Sequence, residues 1–169
     1  VKPILFVDGY NVIGAWPQAE REGWPLDESR DRLIHLLEDY GGYSGQEVVL
    51  VFDGHRGERQ TTSIEQRQTI AVVFTKHGQT ADQYIERACA RLPVYREARV
   101  ATSDHLEQTI ILAKGATRLS SRELLRELSQ ARSRGSQSQA RQSASGQNTV
   151  FGNISDEQRA VLEKLRRQK

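Results

Sequence analysis

Apolar residues in this chain fall into short dense runs separated by longer amphipathic stretches. Lys2–Asp8, Glu47–Asp53, Thr69–Thr75 and Ala98–Ser103 read as strands, and Ala116–Leu119 as a short fifth. Glu47–Asp53 is almost uninterrupted Val, Leu and Phe, the pattern of a strand covered on both faces. Between these runs the period changes to that of a helix. Leu33, Leu36, Leu37 and Tyr40 form one stripe over Asp27–Tyr40, with Gly41, Gly42 and Gly45 expected to end it. Tyr84, Ile85, Ala88 and either Cys89 or Leu92 form another over Thr80–Leu92. Further helices are expected over Asp104–Lys114 and Ser120–Arg132, the latter opened by a capping box of Ser120 and Glu123. A linker holding Trp16, Pro17, Trp24 and Pro25 follows the first strand. The polar stretch His55–Gln68 reads as a mobile loop or short helix. Strand and helix alternate, which predicts an α/β fold with a doubly wound sheet of four to five mainly parallel strands flanked by helices.

From Ser129 to Gln147 the pattern stops, and Ser, Gln, Arg, Ala and Gly dominate. Segments of that composition cannot bury enough apolar surface to offset their ordering entropy. The expected organisation is a catalytic domain over 1–132, a flexible linker over 133–150 and a C-terminal helix over 151–169. A second capping box, Ser155 to Gln158, opens that helix, and Val161, Leu162 and Leu165 line one side of it.

Composition fits this division. The hydrophobic fraction of 37% and mean hydropathy of −0.64 are low for a compact domain and suit a globular part joined to a polar one. The net charge of +2 conceals an asymmetry: residues 1–113 sum to −5 and residues 114–169 to +7. Acids able to hold a cation beside bases able to hold a phosphate backbone suit a nuclease, against the plainer reading of a solvated basic tail. A single cysteine, Cys89, excludes an internal disulfide framework and a cysteine zinc cluster, and its helical setting predicts a buried structural thiol. No run approaches the roughly 18 apolar residues of a membrane span, and no signal peptide opens the chain, so a cytoplasmic location without membrane contact is expected.

The chemistry gathers where the strands end. Asp8 closes the first strand, Asp53 the second and Asp104 the fourth, and Asp82 lies just past the third. In a parallel sheet these ends face one crevice, the usual ligand position. Clustered carboxylates repel one another, so the arrangement calls for a cation, and an all-oxygen set suits Mg²⁺ or Mn²⁺. One or two such ions about 4 Å apart would activate water for in-line attack on a phosphodiester. Asn11 is placed to return its amide to a carboxylate or a metal-bound water. Asp82 and Glu86 share a helical face, although Asp82 also complements the helix dipole and Glu86 also suits a pair with Arg87 or Arg91. Asp104 is equally readable as the N-cap of its helix. Asp53, Glu86, Thr102, Ser103 and Glu107 are candidates for a supporting shell. For RNA contacts the candidates are Tyr10, Arg56, Arg59, Lys76 and Arg118, with Arg67 and Trp16 also able to take part; Arg30 and Arg32 read equally as a charged helix face, and Tyr84 as core packing. His55 and His105 read as surface or substrate contacts rather than bases.

Val7-Asp8-Gly9-Tyr10-Asn11-Val12-Ile13-Gly14, Val51-Phe52-Asp53, Phe74-Thr75-Lys76, Thr80-Ala81-Asp82-Gln83-Tyr84-Ile85-Glu86, Ala101-Thr102-Ser103-Asp104 and Gly115-Ala116-Thr117-Arg118-Leu119-Ser120 resemble the YacP-like branch of the NYN ribonucleases, within the PIN-like superfamily. The resemblance spans roughly residues 3–130 and leaves the region after Ser133 outside. It implies a PIN-like fold and a divalent-metal endoribonuclease in messenger RNA decay coupled to the ribosome. Asp8, Asn11, Asp82 and Asp104 match the superfamily's catalytic positions, with Asp8, Asp82 and Asp104 as metal ligands. Ala81 and Gln108 stand where some relatives carry acids, which leaves the number of ions open. The alternative is a non-catalytic RNA- or ribosome-binding adaptor on the same fold. A phosphatase using an aspartyl-phosphate is disfavoured because Tyr10 stands where such enzymes commonly have a second aspartate. No G-x-G-x-x-G follows the first strand, which disfavours a dinucleotide-binding domain.

Overall fold

The computed structural model describes residues 2–102 and 115–135. The chain divides into two units, residues 1–132 and 133–169, and the architecture that follows is that of the first. In chain order it comprises β1 (Ile4–Asp8), α1 (Gly9–Gly14), α2 (Pro17–Glu22), α3 (Leu26–Ser44), β2 (Glu47–Phe52), β3 (Ser63–Gln66), β4 (Ile70–Phe74), α4 (Ala81–Arg91), β5 (Ala98–Ala101) and β6 (Thr117–Leu119). Residues 121–135 form a last described helix, α5.

The strands make one six-stranded sheet in the order β3-β4-β2-β1-β5-β6. Every neighbouring pair is parallel except β3 with β4. The chain moves from β1 outward through β2 to β4, then returns through α4 to β5 on the other side of β1. The strand order therefore reverses beside β1, the position where α/β sheets place their ligand crevice.

Both sheet faces are covered, which explains the unbroken apolar runs of β1 and β2. Leu5, Val7, Val48, Leu50 and Phe52 enter one core with Val12, Leu33, Leu37, Leu124 and Leu128, from α1, α3 and α5. Ile4, Phe6, Val49 and Val51 enter the other with Ala81, Ile85 and Cys89 of α4. Cys89 is buried, as a structural thiol should be. On the α3–α5 side a polar clasp ties three elements together. Arg99 of β5 donates to Glu127 Oε1 and Oε2 of α5 at 2.7 and 3.3 Å. Tyr40 of α3 donates to Glu127 Oε2 at 2.9 Å.

Three expectations change. The sheet has six strands rather than four to five, because β3 lies within the stretch read as a loop or short helix. Its burial is slight and Ile64 is its one large apolar residue, so it carries no hydrophobic signal; pairing with β4 at an edge makes it a strand. The linker after β1 contains α1 and α2. Finally, α3 continues through Gly41 and Gly42 to Ser44 and ends at Gly45, the residue that adopts a left-handed φ of 67°. Gly41 serves close packing: a Cβ there would lie 3.0 Å from the Thr69 carbonyl oxygen.

Candidate functional site

Register fixes which strand-end groups share a face. Asp8 pairs with Val51, and Val7 with Ala101. Ile4, Phe6, Val51 and Val100 all belong to the α4-side core. By the two-residue alternation of a strand, Asp8, Asp53 and Thr102 follow them onto that side. The first turn of α4 brings Asp82 there. Thr80 caps that helix in a full capping box with Gln83, which sets where α4 begins.

The electrostatics of Asp8 record how tightly these groups meet. Burial, followed by the carboxyls of Asp82 and Asp53, raises its pKa from the ordinary 3.8 to about 7. A backbone hydrogen bond from Asn11 N to Asp8 Oδ1, at 3.4 Å, works in the opposite direction. Asp8 is thereby also the N-cap of α1. The side chain of Asp53 accepts from His55 N at 2.8 Å, which fixes its loop. Among the described residues no three His, Cys, Asp or Glu side chains are grouped to hold a metal ion on their own. Asp104, with Ser103, Glu107 and His105, lies outside the described residues.

Close packing sets the strand ends at the crevice. A Cβ on Gly9 would stand 2.4 Å from the ring of fully buried Phe52, so Gly9 is required for close approach rather than for a left-handed turn. A Cβ on Gly54 would stand 2.2 Å from the Thr75 carbonyl oxygen. The loops after β2 and β4 are laced together. Gly54 N donates to Thr75 Oγ1 at 2.8 Å, Thr75 Oγ1 donates to Gln79 O at 2.8 Å, and Thr62 Oγ1 donates to Gln79 Oε1 at 3.0 Å. Gly78 N reaches His55 O at 3.0 Å and His77 N reaches Arg59 O at 2.8 Å. This lacing fixes the approach to α4, and hence Asp82, relative to Asp53.

The remaining candidates separate clearly. Thr102 is buried beside Asp8, and its hydroxyl has no hydrogen-bond partner among the described residues. Glu86 is exposed one turn beyond Asp82. Arg56 and Arg59 are exposed on the laced loop, with the Arg59 guanidinium 5.2 Å from the centre of the Phe74 ring, and Lys76 is exposed beside them. Tyr10 packs against Phe52 at 5.1 Å, and its hydroxyl accepts from Arg30 Nη1 at 3.0 Å. Arg118 lies on β6, partly buried. Trp16 is a core residue set edge-on to Trp24, and Tyr84 packs partly buried on the α4-side core. Arg32 pairs with Glu28 and stacks on Trp24. Arg67 pairs with Glu38 and Glu65, next to the amino end of β4 and away from the crevice.

Three residues at the site escape the sequence pattern. Thr75 and Gln79 are buried lacing groups, and Ser121, also buried, donates to Asn11 Oδ1 at 2.6 Å. Only the doubled serine at 120–121 hints at the last, since one helix start needs one cap.

Comparison with known proteins identifies the family and the fold. A family model for the YacP-like NYN domain matches residues 5–167. The match therefore runs past Ser133, beyond the boundary expected from the motifs. The uncharacterized protein YacP of Bacillus subtilis (strain 168) is 44% identical over 130 residues, covering 74% of each chain. A crystal structure of Rae1 (YacP) from Bacillus subtilis superposes with a TM-score of 0.67 at 36% identity, over 97% of this chain and 94% of that one. A crystal structure of a tryptophan-to-leucine mutant of the same protein gives 0.64 at 41% identity, over 78% of this chain and 77% of that one. The chain belongs to the YacP-like NYN domain family, a nuclease-like family of PIN-like fold.

Proposed function

We propose that this protein is a divalent-metal-dependent endoribonuclease that hydrolyses RNA phosphodiesters, acting on messenger RNA at the ribosome in the cytoplasm. The observation that carries the reading is the Asp8 carboxyl, whose charged form is opposed by burial and by two further carboxyls. A group so placed is ionised at neutral pH at a cost unless a cation joins it. The donors are all carboxylate oxygens, hard ligands that fit Mg²⁺ or Mn²⁺ better than a thiophilic metal. Asp8 and Asp82 would hold the ion, with Asp104 as the third ligand that the family resemblance implies.

A divalent cation held there supplies the Lewis acidity for water to attack a phosphodiester. The protein's own groups do the rest. Asp8 and Asp82 are fixed at the crevice by the backbone N–H of Asn11 and by the capping box of α4, respectively. Arg56, Arg59 and Lys76 supply positive charge for the RNA backbone, and Tyr10, partly buried against Phe52, is the candidate for a base contact. Water-mediated attack needs no nucleophile from the protein itself.

The competing reading is a non-catalytic RNA- or ribosome-binding adaptor on the same fold. Cleavage of RNA in the presence of Mn²⁺, with translating ribosomes included, separates the two. Nuclease action predicts loss of cleavage in Asp8→Asn and Asp82→Asn proteins that fold normally. Undiminished cleavage in both would reject this site.

A further inference from the structure

Ser121 stands at the start of α5, 110 residues from Asn11 in sequence, yet its hydroxyl lies 2.6 Å from Asn11 Oδ1. Capping does not account for it. Ser120 already caps the helix, accepting from Glu123 N at 3.1 Å and donating to Glu123 Oε1 at 3.0 Å. Ser121 is only 5% exposed, so its hydroxyl is turned inward, to a partner on a different element. The partner atom is Asn11 Oδ1, at 2.6 Å. That is an ordinary O–H···O distance, with the carbonyl end of the amide accepting from Ser121.

An amide so held has its other end fixed as well. With Oδ1 engaged, Asn11 offers Nδ2, which donates hydrogen bonds and has no lone pair available for a cation. We propose that Ser121 is a positioning residue that pins the Asn11 amide with Nδ2 presented at the crevice. Asn11 then serves as a donor to an anionic oxygen of the substrate, the non-bridging oxygen of a phosphodiester, and not as a cation ligand. This inference rests on the reading of the crevice as a phosphodiesterase site. It also gives α5 a part in the chemistry: the last described helix sets the orientation of a group on the first.

The Asn11 side-chain NH₂ resonance, identified by its loss in Asn11→Ala, reads the pinning without any need for activity. In Ser121→Ala and in Ser121→Gly it should shift and exchange with solvent about tenfold faster. Ser120→Ala should leave it in place while lowering Tm by roughly a few degrees, the signature of a lost cap. In RNA cleavage with Mn²⁺, Ser121→Ala should lower kcat about tenfold at an unchanged Mn²⁺ half-saturation, and should add nothing to Asn11→Ala. An unmoved resonance in both Ser121 variants overturns the proposal, as does a loss that adds fully to that of Asn11→Ala. A change in Mn²⁺ half-saturation on Ser121→Ala overturns it too, because Asn11 would then be acting as a ligand. Failure of the nuclease reading looks different: Asp8→Asn would cleave like the wild type while the resonance test still gave its own answer.

Discussion

The carboxyl of Asp82, in the first turn of α4, lies close enough to that of Asp8, at the end of β1, to raise the Asp8 pKa. Two carboxyls so close, one of them half-buried, cannot both ionise freely. This makes the ion-free protein carry an electrostatic penalty at the place where its chemistry is proposed.

That penalty sets a pH dependence. The Asp8 pKa is higher folded, about 7, than its ordinary 3.8. Between those values the folded state binds more protons than the unfolded state, so this contribution to stability falls as pH rises. It is fully present below about pH 4 and lost above about pH 7. Asp8→Asn should therefore be more stable than the wild type at pH 8 without metal, by on the order of 2 kcal/mol, and lose that advantage near pH 4. Urea unfolding at the two pH values, with chelator present, measures it.

Gly9→Ala should destabilise the protein by about 2–3 kcal/mol, because the new methyl meets a ring that has nowhere to go. Phe52 is fully buried and stacked on Phe74 at 5.3 Å. Urea midpoints for Gly9→Ala and for Gly14→Ala, where a Cβ meets nothing within 4 Å, provide the contrast.

Breaking the clasp should cost stability without touching the crevice. Burial acts to raise the Glu127 pKa, but hydrogen bonds from Arg99 and Tyr40 outweigh it, and the net shift is downward. A depressed carboxylate stabilises the fold above its unfolded pKa and loses that contribution as pH falls through the folded value. Arg99→Met should cost about 1–2 kcal/mol at pH 7, less than a fully buried pair because both side chains are partly exposed. The cost should shrink in acid, as thermal unfolding at pH 7 and pH 3 would record.

Thr75→Val removes the hydroxyl that accepts from Gly54 N and donates to Gln79 O, leaving both backbone groups unsatisfied in a buried loop junction. A loss of about 1–3 kcal/mol is expected. Because the lacing sets the start of α4, Mn²⁺ affinity should fall as well, whereas Arg99→Met should leave it unchanged. Parallel Mn²⁺ titrations of the two variants compare the effects.

The sequence is most legible where physics is local or strongly apolar. β1, β2 and β4 are visible because strands covered on both faces must be apolar at nearly every position. The helix over Thr80–Leu92 is visible because its apolar residues recur at helical spacing. Asp8, Asp53 and Asp82 are legible as strand-end or helix-start acids, and Asp82 and Asp53 both lie near enough to raise the Asp8 pKa without the three forming a metal-holding group. What was not legible depends on distant partners. β3 is a strand only through β4, Gly41 sits within a helix because Thr69 needs the space, and Ser121 matters through a residue 110 positions away. Asp104 was legible as a motif, but it lies outside the described residues.

Calorimetric titration of Mn²⁺ into the metal-free protein at pH 6 and pH 8 bears most directly on the claim that a cation relieves the clustered carboxylates. The expected result is saturable binding that expels about one proton at pH 6 and almost none at pH 8, as the ion displaces the proton from Asp8. Binding should be lost in Asp8→Asn and strongly weakened in Asp82→Asn. Absence of saturable binding, or binding of the same strength in both variants, would contradict the account.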